Sequence, residues 1–211
     1  PQRGGQAQRA RLARGVEHAA GQREVADLPA GGPDRDHLGV RGGVCERLAR
    51  IGGAGKIIAI DTQSWKFDLA TKLGANHCVD ATDGDAVAAV HDLTGGGADF
   101  VFECIGLGKT VQQAVAMTGR GGTTVLVGVV PLTEMVPISA ADLTLQEKNI
   151  TGSFMGSNRF RYDMPKYIEF YLDGRLYLDE MISSRIKLEE VNDAFDLMRK
   201  GEAARQVIMF D

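Results

Sequence analysis

The first fifty residues of this 211-residue chain contain no Lys, Ile, Phe, Tyr, Trp, Met, Asn, Ser or Thr. A segment without aromatic side chains, Ile or Met cannot bury enough apolar surface to offset the entropy that is lost on ordering. We therefore expect residues 1–52 to be a low-information, disordered segment. The part of the protein that can be interpreted for function begins at Gly53.

Other absences limit the function of the whole chain. The three Cys, at positions 45, 78 and 104, have no metal-ligand or disulfide spacing, which predicts a reduced, cytoplasmic protein. No apolar run approaches the roughly 18–20 residues of a membrane span, and no secretory signal is expected. The net charge of −4 is mild, so we expect neither nucleic acid nor a membrane surface as a partner.

The composition of the first fifty residues has three interpretations. Their nine Gly, nine Arg and eight Ala include Arg-Gly-Gly elements like those of RNA-binding tails, although such tails usually interleave aromatic residues. A featureless linker is the second interpretation. We favour the third, out-of-frame translation of a GC-rich gene, because residues with A/T-rich codons are absent together. The upstream DNA, translated in the other two frames, tests this hypothesis.

From residue 56 onward, apolar strands alternate with helices of about ten residues. This alternation predicts an α/β fold with a doubly wound parallel sheet of the Rossmann type. Its first, central strand could come only from residues 37–40, and without that strand the sheet is incomplete and has two open inner edges. The predicted strands are 56–60, 77–79, 99–103, 123–129 and 149–153, and the predicted helices are 64–73, 85–93, 109–118 and 139–146.

Ligands bind at the carboxyl edge of such a sheet. Asp61 ends a strand there, where an acid hydrogen-bonds an adenosine ribose and repels a 2′-phosphate, so NAD is favoured over NADP. Alternatively, Asp61 caps a helix. Lys66, one turn later, either contacts the ribose or pairs with Asp68. Residues 103–106 and 127–129 end two further strands at the same edge.

Residues 53–211 also carry five motifs in the order and spacing of a known family. The motifs are Gly-Ala-Gly-Lys-Ile-Ile-Ala-Ile-Asp (53–61), Lys-Leu-Gly-Ala-Asn-His (72–77), Asp-Phe-Val-Phe-Glu-Cys-Ile-Gly (99–106), Val-Leu-Val-Gly-Val (125–129) and Arg-Lys-Gly-Glu-Ala-Ala-Arg (199–205). Over this stretch the chain resembles the C-terminal part of the zinc-containing, medium-chain alcohol dehydrogenases.

The resemblance implies a set of contacts with NAD. Asp61 and Lys66 would bind the adenosine ribose, and Arg205 would bind the pyrophosphate. Without the motif, Arg205 would be interpreted as a helix-end Arg that the macrodipole favours. The remaining implied contacts are Cys104, Ile105 and Gly106 along the adenosine side, Val127 and Val129, with Gly128 between them, beside the nicotinamide, and Ser153 and Met155, whose backbone would bind the carboxamide.

The resemblance also divides the chain. Residues 53–155 would be an incomplete NAD-binding domain, and residues 156–211, with helices near 163–173 and 189–200, the C-terminal portion of a catalytic domain. The family holds a catalytic zinc through Cys and His or Glu ligands that precede the cofactor domain. Nothing in residues 1–50 matches those ligands, so we predict neither metal ligands nor catalytic residues in this chain.

The sequence thus predicts an oxidoreductase: a fragment of a zinc-dependent alcohol dehydrogenase that transfers a hydride between an alcohol/aldehyde pair and NAD. We expect the fragment itself to be inactive and poorly stable, and the complete enzyme to be a homo-oligomer. Two alternatives remain. One is a non-catalytic NAD-binding or interaction module, which would bind NAD without turnover. The other is a zinc-free quinone or enoyl reductase of the same superfamily, a class that generally prefers NADPH.

Overall fold

The structure, a computed structural model, describes residues 37–40, 43–203 and 205–210. The hypotheses about residues 1–36 lie outside the described residues. The described chain divides into two compact units, of which the first ends at Lys166 and the second begins at Tyr167. None of the helices in the described ranges is long and apolar enough to cross a membrane.

The first unit alternates strands and helices as the sequence predicts. Its strands are β1 (His37–Val40), β2 (Lys56–Asp61), β3 (His77–Asp80), β4 (Ala98–Glu103), β5 (Thr118–Leu126) and β6 (Asn149–Gly152). Its helices are α1 (Gly43–Gly52), α2 (Phe67–Leu73), α3 (Ala86–Thr94), α4 (Gly108–Met117) and α5 (Ala140–Leu145), and α6 (Phe160–Leu172) crosses the division between the units. Short 3₁₀ turns cover Ser64–Lys66 and Met155–Ser157.

The six strands form one parallel sheet in the order β3-β2-β1-β4-β5-β6. This order confirms the doubly wound fold. The central strand β1 pairs on both sides, with Leu38 opposite Ile57 on β2 and opposite Phe100 on β4. The open inner edges expected for a sheet without this strand are therefore not found between the described strands.

Residues 37–40 and 43–52 thus lie in a strand and a helix, which differs from the disorder expected for them. The physical reason is tertiary pairing, which composition alone does not reveal. Both edges of β1 hydrogen-bond to neighbouring strands, and α1 buries Ala49 against the sheet. This packing supplies the burial that the composition of the segment does not suggest.

The core lies on both faces of the sheet, because β2 is apolar on both sides. Ile58 and Ile60 pack on one face together with residues of α3 and α4. Ile57 and Ala59 pack on the other face, where α1 contributes Ala49 and α2 contributes Ala70. Helices therefore cover both faces, as the nearly continuous apolar strands predict.

Strand β5 differs from its prediction, because it covers Thr118–Leu126 rather than 123–129. It starts earlier because Thr118 already pairs with Ala98, across an irregularity in register. The glycines there allow two backbones to approach: a Cβ on Gly97 would lie 2.5 Å from the Cα of Gly119. The strand ends earlier because Val127 and Gly128 donate their N–H groups to the carbonyl of Glu103, each at 2.8 Å.

The second unit contains a parallel pair of short strands, β7 (Ser184–Ile186) and β8 (Gln206–Ile208), joined through α7 (Val191–Lys200). The expected helices near 163–173 and 189–200 correspond to α6 and α7. The assignment of residues 156–211 to a catalytic domain stays a prediction.

Candidate cofactor-binding site

The candidate site lies at the carboxyl edge of the six-stranded sheet. Because all its strands are parallel, the residues that follow β2, β4, β5 and β6 emerge at the same edge. The strand order reverses at β1, since the chain builds β2 and β3 on one side of it and β4, β5 and β6 on the other. A crevice at such a reversal is where open α/β sheets bind their ligands.

Asp61 ends β2 on one side of this reversal. Its carboxylate Oδ1 accepts a hydrogen bond from the backbone N of Gln63 at 3.0 Å, and Oδ2 lies 3.3 Å from Nζ of Lys66. The residues that cap the next two helical segments are Gln63 and Lys66, so Asp61 is not a helix cap. Both charged side chains remain partly exposed, 26% for Asp61 and 34% for Lys66, and a ribose hydroxyl could reach the carboxylate.

Glu103 ends β4 on the other side and organises the turn that follows. This buried carboxylate accepts hydrogen bonds from the backbone N of Ile105 at 2.9 Å, the backbone N of Gly106 at 3.0 Å and Oγ1 of Thr110 at 2.7 Å. Its carbonyl also holds the turn after β5, through Val127 and Gly128. Glu103 was not predicted as a site residue, although an acid at the end of an apolar strand was the available signal.

Two glycines let the turns after β4 and β5 touch through their backbones. Gly106 has φ +81°, and a Cβ there would lie 2.5 Å from the carbonyl O of Val129. A Cβ on Gly128 would collide with the backbone N of Gly106. Residues 104–106 and 127–129, which were predicted to contact the cofactor, therefore form one continuous double turn.

The remaining predicted contacts lie in two places. Ser153 follows β6 and is buried, and its N–H donates to the carbonyl of Leu126 at 2.8 Å. Met155 has φ 51° and is 68% exposed. Arg205 belongs to the second unit, where its backbone pairs with Ser183 next to β8, and its role stays a prediction.

The described residues do not fit a catalytic zinc. No three His, Cys, Asp or Glu side chains in the described ranges come close enough together to hold a metal ion. His77 directs its Nδ1 to the side-chain O of the adjacent Asn76 at 2.9 Å.

Comparison with known proteins agrees with this geometry. The family model of zinc-binding dehydrogenases matches residues 42–173. Alcohol dehydrogenase class-3 of Drosophila melanogaster is 39% identical over 163 residues, which cover 75% of this chain and 43% of that protein. Alcohol dehydrogenase-like 5 of Arabidopsis thaliana is 34% identical over 175 residues, which cover 81% of this chain and 45% of that protein. The chain thus spans a little under half the length of these relatives.

Solved structures show the same relationship. Benzyl alcohol dehydrogenase from Acinetobacter calcoaceticus superposes with a TM-score of 0.80 at 26% identity, covering 95% of this chain and 54% of that chain. A zinc-binding dehydrogenase from Sinorhizobium meliloti bound to NADP superposes with a TM-score of 0.73 at 31% identity, covering 94% and 56%. These matches confirm the resemblance drawn from the motifs. The chain belongs to the zinc-binding dehydrogenase family of oxidoreductases.

Proposed function

We propose that this chain provides the NAD-binding part of an alcohol dehydrogenase, which in its complete form transfers a hydride between an alcohol/aldehyde pair and NAD. The observation that carries the proposal is the convergence of Asp61 and of the double turn formed by residues 104–106 and 127–129 at the reversal of the sheet. The names of the relatives, both alcohol dehydrogenases, support an alcohol as the substrate.

Recognition of the adenosine ribose is assigned to Asp61 and Lys66. A carboxylate accepts hydrogen bonds from both ribose hydroxyls, whereas it repels a phosphate on the 2′ oxygen. Lys66, 3.3 Å from Asp61, offsets part of that repulsion. The net preference that we propose is for NAD, although the relative from Sinorhizobium meliloti binds NADP.

The nicotinamide is placed beside the exposed end of the double turn. Val129 is 73% exposed there, and Val127, Gly128 and Val129 offer an apolar surface against which the ring can pack. The carbonyl of Ser153 and the backbone of Met155 are assigned to the carboxamide, and Arg205 to the pyrophosphate. Bound NAD supplies the hydride acceptor, and the residues of this chain orient the ring.

We also propose that the chain on its own does not oxidise an alcohol. The described residues contain no metal-ligand cluster, so nothing among them polarises an alcohol oxygen. The complete protein is proposed to be a homo-oligomer that acts in the cytoplasm, without nucleic-acid or membrane partners. Its free cysteines, Cys45, Cys78 and Cys104, support a reducing compartment.

Calorimetric titration of the purified chain with NAD and with NADP tests the proposal. We expect NAD to bind more tightly than NADP, with no alcohol oxidation. Asp61→Asn removes the charge that repels a 2′-phosphate, so we expect the ratio of the two affinities to move toward NADP by about tenfold. Asp68→Asn, a change of the same charge on the exposed face of α2, serves as the control and should leave the ratio unchanged.

Four results would contradict the proposal. If neither nucleotide bound, the chain would have no cofactor site. If the unmodified chain bound NADP more tightly than NAD, the zinc-free reductase alternative would be favoured. Alcohol oxidation by the purified chain would show that catalysis needs nothing beyond these residues. If Asp61→Asn left the affinities for both nucleotides unchanged, the nucleotide would bind at another place.

A further inference from the structure

A second acidic side chain lies next to Asp61 at the carboxyl edge of the sheet. Asp80 ends β3, and its partner in the parallel ladder is Asp61, the last residue of β2. The pairing extends one step further, because the backbone N of Ala81 donates to the carbonyl of Asp61 at 2.9 Å. Partners in register on neighbouring strands are about 4.8 Å apart and direct their side chains to the same face of the sheet. The two carboxylates are therefore neighbours.

The turn after β3 fixes the carboxylate of Asp80. Its Oδ1 accepts hydrogen bonds from Oγ1 of Thr82 at 2.6 Å and from the backbone N of Thr82 at 2.8 Å. The bond from the hydroxyl first, and the bond from the backbone second, lower the pKa of Asp80 below its ordinary value. The carbonyl of Asp80 accepts from the backbone N of Asp83 at 3.2 Å, which closes the turn. A fixed negative charge thus lies beside Asp61.

The two carboxylates differ in their countercharges. Nζ of Lys66 lies 3.3 Å from Oδ2 of Asp61, and this ion pair weakens the repulsion that Asp61 exerts on another anion. None of the ion pairs within the described ranges includes Asp80. Residues 80–85 contain three Asp and no basic residue. The charge of Asp80 therefore acts on its surroundings without a direct countercharge from the part of the chain that the structure describes.

We propose that Asp80 is a further specificity-determining residue of the cofactor site, and that its charge disfavours a phosphate on the 2′ oxygen of the adenosine ribose. The inference rests on the proposed binding of that ribose at Asp61. A ribose that is hydrogen-bonded to Asp61 has its 2′ oxygen close to both carboxylates, because they are one strand spacing apart. Like charges at this range repel each other without any direct contact. NAD has a free 2′ hydroxyl and does not experience this repulsion.

The experiment is calorimetric titration of the purified chain with NAD and with NADP, which differ only in the 2′-phosphate. We expect Asp80→Asn to move the ratio of the two affinities toward NADP by about threefold, the effect of one partly screened charge. Asp80→Glu keeps the charge and should keep the ratio. Asp92→Asn is the control, because it makes the same charge change in the last turn of α3, at the opposite edge of the sheet, and should leave the ratio unchanged.

The fold of the variants is protected by the choice of side chain. Asn retains an oxygen that can accept from Thr82, and Asp80→Ser gives a second neutral variant whose hydroxyl also suits a turn of this kind. The fluorescence of Trp65, the single Trp of the chain, shows whether each variant is folded. The two neutral variants should change the ratio of affinities equally, because both remove the same charge.

Ionic strength separates an electrostatic role from a structural one. The screening length falls from about 10 Å at 0.1 M salt to about 3 Å at 1 M. The threefold change caused by Asp80→Asn should therefore be present at 0.1 M salt and nearly absent at 1 M. A change in the shape of the site would persist at both concentrations.

The outcomes distinguish this inference from the proposed function. If Asp61→Asn moves the ratio toward NADP while both neutral variants of Asp80 leave it unchanged, the role of Asp80 is overturned and the cofactor site stands. An equal change in Asp80→Glu, or a change that persists in 1 M salt, also overturns the role, because charge is then not its cause. If neither nucleotide binds to the unmodified chain, the proposed function and this inference are both overturned.

Discussion

Glu103 shows how much of the candidate site depends on one carboxylate. It accepts from two backbone N–H groups and one hydroxyl, and its own carbonyl accepts from the turn after β5. All of these donors belong to the protein, so Glu103 holds the turns after β4 and β5 in place. Asp61, in contrast, was predicted from sequence because it ends its strand at the edge where ligands bind.

Replacing Glu103 by Ala should destabilise the protein. The N–H groups of Ile105 and Gly106 would lose their acceptor, and each lost partner costs about 1–3 kcal/mol, whereas the Thr110 hydroxyl can still donate to the carbonyl of Leu107 at 2.9 Å. Since water reaches part of the turn, we expect the free energy of unfolding to fall by about 3 kcal/mol in total. Thr110→Val, which removes one donor, should cost about 1 kcal/mol. Urea denaturation measures both, and equal losses for the two variants would contradict the assigned role.

The double turn after β4 and β5 makes a second test possible. Gly106→Ala should cost about 3 kcal/mol, because the new Cβ meets the Val129 backbone and a positive φ is strained for Ala. Gly84 is the matched position, with φ +87° and nothing within 4 Å of an added Cβ, so Gly84→Ala should cost only about 1 kcal/mol of backbone strain. Thermal unfolding compares the two, and similar losses would mean that the turns are not in contact.

Local patterns predicted most of the elements but not their ends. The alternation of apolar strands and short helices predicted the sheet from β2 to β6, and Gly74 ends α2 with φ 127°, as its position predicted. Strand β5 was misplaced because its ends depend on partners distant in sequence, Ala98 at the start and Glu103 at the end. The helix α1 was not expected, and residues 37–40 were only a candidate for the central strand, for the same reason: β1 pairs with β2 and β4, and α1 packs against β2, all elsewhere in the sequence.

For the molecule as a whole, stability depends on β1. We propose to compare two shortened chains, one that starts at His37 and one that starts at Gly43. The two differ only in residues 37–42, which are β1 and the two residues after it. The second chain exposes unpaired edges of both β2 and β4. We expect it to lose cooperative unfolding and to aggregate, whereas the first keeps all six strands.

The fluorescence of Trp65, the single Trp of the chain, follows unfolding in urea, and size-exclusion chromatography follows aggregation. If both shortened chains unfold with the same midpoint, β1 contributes nothing and the paired sheet is wrong. If only the chain that starts at His37 unfolds cooperatively, the fold requires the central strand.

The central place of β1 also has a consequence for synthesis on the ribosome. The strand can pair with β2 as soon as Asp61 has emerged, but its other edge waits for β4, which ends at Glu103. At about 5–20 residues per second, this interval lasts roughly 2–8 s. During that time the nascent chain carries an unprotected strand edge, so the yield of folded protein should depend on how quickly translation passes from residue 61 to residue 103.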